Sequence, residues 1–128
     1  MLLNLCGHDV YIYPESSCRF NTKQRQYEII SASRLQKCIR IKKSSLPPVR
    51  CVTDAQELPA IDGLYPAYSV RVKRVEYLPE YKPGVYLLVS SHVMHFLPER
   101  VDLVCPFMKV HHPKTHAVIG CMGLSMRS

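Results

Sequence analysis

The sequence predicts a β-dominated α+β fold: one twisted or partly closed sheet of about seven or eight short strands, with one short helix near residues 90–98. Three observations predict it. Ten prolines and five glycines punctuate the 128 residues at short intervals, which suits short strands and tight turns. Apolar and polar residues alternate with a period of two in HDVYIY, QKCIRIKK and AYSVRVKRVEY. Only one segment, SSHVMHFLP, opens on a serine cap and closes on a proline, as a short helix does.

Each element follows from its residues. LLNL and HDVYIY read as strands, the latter with Val10 and Ile12 on one face and Tyr11 and Tyr13 on the other. PESSC is a turn, QYEII a strand, and SASRL a turn or crossing segment. In QKCIRIKK, Ile39 and Ile41 oppose Cys38, Arg40 and Lys42. The prolines of SSLPP end that strand, because they cannot donate to a ladder. VRCVTD is a short strand and IDG a turn. AYSVRVKRVEY is the longest alternating run, with Val70 and Val72 opposite Arg71, Lys73 and Val75. After the loop LPEYKPG, VYLLV is apolar almost throughout, which predicts a strand buried on both faces. Ser90 and Ser91 start the helix, and Val93, Met94 and Leu97 share its inner face. RVDLVCP is a strand, KVHHPKTH a polar hairpin loop, and AVIGCMGL the last strand, with Gly120 and Gly123 marking a bulge or a close backbone approach.

The length fits a single domain spanning 1–128 with a core of its own. No run approaches the roughly 18 apolar residues of a membrane span, and MLLNLCGHDV lacks a basic leader, so a cytoplasmic protein with no membrane partner is expected. Cys6, Cys18, Cys38, Cys51, Cys105 and Cys121 are scattered singly among apolar neighbours, which predicts buried or half-buried thiols in a reducing compartment.

The charge is concentrated. Of the net +7, residues 19–50 carry nine Lys or Arg against Glu28. Such a stretch favours an anionic partner: nucleic acid, nucleotide or acidic protein. Sequence-specific duplex reading is disfavoured, because the only helix carries no Lys or Arg. A basic face of Arg40, Lys42, Arg71 and Lys73 on neighbouring strands is expected.

Specific chemistry is weakly signalled. Cys6 and His8, His92 and His95, and the His111, His112 and His116 group lack the spacing of a metal site, so no metal and no cofactor is expected. There is no Gly-x-Ser-x-Gly elbow and no clear carboxylate pair, so no catalytic residue is assigned. The strand entering Ser90 and Ser91 presents hydroxyls and free N–H groups to an anion, with Arg100 within reach of the same sheet end.

The opening Asn4-Leu-Cys-Gly-His-Asp-Val10, the run IDGLYPAYSVRVKRVEYLPEYKPGVYLLVSS, the segment PERVDLVCP and the closing strand Val118 to Leu124 together resemble a family of small bacteriophage and prophage proteins. That family opens on an Asn-Leu-Thr-Pro-His-like motif; this chain has Cys6 and Gly7 at the Thr-Pro positions. The resemblance covers most of the chain and implies a viral protein acting in the host cytoplasm, where one plausible class sequesters nucleotide defence signals.

The expected function is a non-enzymatic binding protein for an anionic, nucleotide-like molecule. Asn4, His8, Ser90, Ser91, Arg100 and Asp102 form its expected site: serines and arginine on phosphate, Asn4 and His8 on base or ribose. The alternatives are an inhibitor gripping a host protein or nucleic acid through residues 19–50, and a small nucleotide hydrolase with His8 as base. Exposed strand edges favour a homo-oligomer.

Overall fold

The computed structural model describes residues 1–30 and 38–127. Its elements run β1 (Leu2–Asn4), β2 (Val10–Ile12), β3 (Cys18–Asn21), β4 (Gln26–Ile29), β5 (Ile39–Ile41), β6 (Arg50–Ile61), β7 (Tyr65–Glu76), β8 (Tyr86–Leu88), α1 (Ser91–Phe96), β9 (Leu103–His111) and β10 (Val118–Met126). Eight strands form one nearly closed sheet, in the order β1-β8-β9-β10-β2-β5, with β4 on the free side of β9 and β3 on β4. The β-dominated α+β expectation holds. The expected crossing segment at 31–35 lies outside the described residues.

Alternation along the strands builds the interior. Every strand of the main path sends a side chain inward: Leu2, Leu88, Val104, Cys121, Val10 and Ile41 lie in one cluster. The opposite faces feed two outer clusters. Leu87, Leu103 and Cys105 pack with Val93 and Met94 of the helix. Tyr13, Ile29 and Val110 pack under the β3–β4 hairpin. Leu87, Leu88 and Val89 are therefore all buried, as a strand covered on both sides requires. Ser90 caps the helix as its sequence predicts, its side chain accepting from the Val93 N–H.

One side chain closes the sheet. The open ends of the path are β1 and β5, and Asn4 spans them. Its amide nitrogen donates to Ile41 O (3.0 Å) and His8 O (2.9 Å), and its amide oxygen accepts from Cys6 N–H at 3.0 Å. Ser44 N–H adds a backbone bond to Asn4 O at 2.9 Å.

Two glycines were expected at a bulge or close approach, and only one is at a close approach. A Cβ at Gly120 would stand 2.5 Å from Tyr11 O and 2.5 Å from the Tyr13 ring, whereas Gly123 has nothing within 4 Å. Tyr13 is buried, so its ring cannot swing away. Gly120→Ala is expected to cost about 2 kcal/mol through overpacking, with Gly123→Ala as its near-neutral control. Urea unfolding midpoints check this; equal midpoints for the two variants would rule the contact out.

All six cysteines are free thiols. Cys6 Sγ donates to Leu88 O and Cys121 Sγ to Tyr11 O, both at 3.6 Å. Burial pushes the Cys6 thiol up to about 11 and raises Cys105 and Cys121 as well. These groups are packing residues with little thiolate at neutral pH.

The long alternating run AYSVRVKRVEY is β7, as the sequence predicts, but the length of β6 and its separate pairing are not anticipated. VRCVTD reads as a short strand, yet β6 runs for 12 residues and pairs with β7, also 12 residues, in a separate two-stranded sheet. At about 3.3 Å per residue this ribbon is about 40 Å long.

Candidate functional site

The expected anion site does not assemble as a free set of donors. Asn4 is 2% exposed and fully occupied in the sheet closure just described. Arg100 is held by Asp102: Nε donates to Oδ1 at 2.9 Å and Nη2 to Oδ2 at 2.7 Å, with a further bond from Nη2 to Pro79 O at 2.9 Å. Its guanidinium holds the Asp102 carboxyl below the usual carboxylate range. Asp102 is 3% exposed, so the pair is an internal brace. Ser90 serves the helix cap, and Ser91 opens a helix of only six residues. His8 is exposed, its Nδ1 lying 2.8 Å from Asp9 O.

The expected basic face is also divided. Arg40 lies on β5 in the main sheet with Lys42 just after it, whereas Arg71 and Lys73 lie on β7, which pairs only with β6. They do not occupy neighbouring strands. Arg40 is bound to Asp9 at 2.6 Å, and Arg50 to Glu76 at 2.7 Å. The backbone N–H of Lys43 and the Arg40 guanidinium together hold the Asp9 carboxyl low. Arg34 and Lys37 of the basic stretch lie outside the described residues.

The histidine-rich loop is a turn. His112 Nδ1 accepts from the N–H groups of Lys114 (3.1 Å) and Thr115 (3.3 Å). Among the described residues, no three His, Cys, Asp or Glu side chains converge as a metal site would require. The buried Glu28 carboxylate accepts from Asn21 and Gln26, each at 3.1 Å, and these bonds hold it below its ordinary range.

Among the described residues, the β6–β7 arm is the element that leaves the main sheet. Its turn follows from Asp62-Gly63, both at positive φ (55° and 67°), and closes with Leu64 N–H on Ile61 O at 3.0 Å. Its base is anchored: Cys51 and Val75 join the helix-side cluster, and Arg50 Nε donates to Glu76 at 2.8 Å. Beyond Thr53 and Val72 that packing stops. Leu64 is 70%, Val70 66% and Tyr68 61% exposed, and Leu58, Ile61 and Tyr65 are exposed too.

Register divides these residues between two faces. Ala55 with Val70 and Glu57 with Tyr68 share one; Leu58 with Ala67 and Ile61 with Tyr65 share the other. The arm's apolar residues escape a pattern-based reading because ELPAI does not alternate and Pro59 argues against a strand. The available signal was Asp-Gly flanked by Leu58, Ile61, Leu64 and Tyr65, which marks a hairpin.

A polar cleft of about 370 Å³ lies beside the sheet closure, lined in part by Gly7, Lys43, Ser44, Ser45 and Pro48. Among the described residues, no helix is long and apolar enough to cross a membrane. No family model, curated protein or solved structure matches the chain.

Proposed function

We propose that this chain is a non-enzymatic binding protein and that the β6–β7 arm is its binding element. One observation carries the reading: six large apolar side chains lie exposed along the two-stranded ribbon beyond its anchored base. An isolated two-stranded ribbon is marginal in water, because neither face is buried. Tyrosine is among the side chains that anchor protein interfaces, and apolar neighbours keep water from it. A protein surface laid on the arm would bury them and stabilise the ribbon together. The resemblance to small phage proteins supports binding within a host cell.

The test is a photo-reactive amino acid in place of Tyr68, in the full chain expressed in cells. One discrete adduct is expected, absent when the probe replaces Tyr81 in the loop after the arm. Equal labelling from both positions, or none from Tyr68, would count against the arm.

The polar cleft favours a second reading. Lys43, Ser44 and Ser45 offer a cation and two hydroxyls beside Gly7, which suits the phosphate of an anionic, nucleotide-like molecule. Titration with nucleotides checks this by calorimetry: Lys43→Glu with Ser45→Ala should abolish binding, and unchanged affinity would remove the site.

A further inference from the structure

We infer that the arm's partner is a second copy of this chain, each arm lying across the body of the other. The inference rests on reading the arm as a binding element and names its target. Residues 53–72 carry Asp54, Glu57 and Asp62 against Arg71, which pairs with Asp54 at 3.9 Å, a net charge of −2. The other sixteen Lys and Arg lie elsewhere with the other seven carboxylates, which leaves the rest of the chain at +9. An acidic, apolar arm and a strongly basic body are complementary within one sequence.

The same charges choose the arrangement. Arms packed tip to tip would bring like carboxylates together, whereas an arm on the partner's body joins opposite charge. Reciprocal exchange of this kind closes a two-fold dimer and leaves no open chain of subunits. Pro59 and Pro66 flank the turn and lack N–H donors, so the tip docks by its side-chain faces and not by extending a sheet.

The body offers a matching seat. A groove of about 340 Å³ is lined by His8, Tyr11, Pro106, Lys109, Val118 and Ile119. Val118 is exposed within it, and Lys109 stands exposed at its side. The groove's own carboxylate, Asp9, is already neutralised by Arg40. Apolar walls beside a lysine that makes no ion pair among the described residues fit Tyr68 with Glu57 facing it across the ribbon.

Sedimentation of the purified full chain, over a range of concentrations and at low and high salt, tests this. The expected species has twice the 14.7 kDa chain mass and dissociates more readily at high salt. Tyr68→Ser with Val70→Ser should weaken association about tenfold or more, with circular dichroism unchanged. Lys109→Glu should also weaken it. Mixing Lys109→Glu with Glu57→Lys/Asp62→Lys should restore association over either variant alone. A chain that stays monomeric at every concentration overturns the inference, as does a dimer indifferent to the Tyr68 and Val70 changes. An adduct from the Tyr68 probe to a different protein overturns the second copy yet leaves the arm as the binding element; no adduct at all removes both.

Discussion

Arg100→Ala is expected to lower the unfolding free energy by about 3–5 kcal/mol, the usual cost of leaving one member of a buried ion pair without the other. Asp102 is 3% exposed, and each of its carboxylate oxygens accepts from the one guanidinium, at 2.9 and 2.7 Å. Without Arg100 the carboxylate stays in the core region with no counter-charge, and Pro79 O loses its donor as well. The double change Arg100→Met with Asp102→Leu should recover much of the loss, since it removes both charges together. Chemical denaturation of the three variants measures this. A stable Arg100→Ala chain that has lost only the binding of an anion would restore the ligand role that the sequence suggests.

The pair also sets an acid limit. Asp102 titrates below its ordinary range because Arg100 binds its ionised form. The stability it contributes is therefore complete above the unfolded carboxylate value of about 4, and is lost as pH falls through the lower folded value. Asp9, Glu28 and Glu76 are lowered by their own partners and act in the same direction. The melting temperature should be level from neutral pH down to about 5 and then fall steeply in acid. A melting temperature that rises on acidification would contradict these assignments.

Asn4→Leu is the second large effect, expected at about 3 kcal/mol or more. The substitution nearly preserves volume but leaves Ile41 O, His8 O and Cys6 N–H without their partner, each costing about 1–3 kcal/mol if buried. The loss should be local at first. Hydrogen exchange should quicken at β1 and β5, the two ends that Asn4 joins, before it does so in β9 and β10. A variant within about 1 kcal/mol of the parent, with β5 still protected, would show that the sheet closes without Asn4.

Most of the local structure was legible because local chemistry determines it. VYLLV is apolar but for Tyr86, which predicts a strand covered on both faces; Leu87, Leu88 and Val89 are buried and Tyr86 is exposed. Ser90 followed by an apolar run and Pro98 admits little but a capped short helix. The Val10/Ile12 and Tyr11/Tyr13 split follows from the two-residue period and reappears as an interior cluster and an outer cluster. The turn at Asp62-Gly63 was legible for the same reason.

The candidate site was much less legible. Asn4, Arg100 and Asp102 read as ligand contacts in the sequence, but residue type does not distinguish a ligand contact from a structural bond. That difference depends on what lies within 3 Å, and the partners Ile41 and Pro79 are distant in sequence. Arg40 and Lys42 were grouped with Arg71 and Lys73 because all four alternate on strands, yet strand pairing puts them on different sheets.

The sequence by itself determined the β-dominated class, the short capped helix, the strand buried on both faces and the uneven charge, because each depends on neighbouring residues or on composition. Only the tertiary structure decided that Asn4 closes a sheet, that Arg100 braces Asp102, and that residues 53–72 leave the core as an exposed arm. An alternating strand carries the same pattern whether a core, another strand or solvent lies beside it. Burial is a property of what the rest of the chain places there.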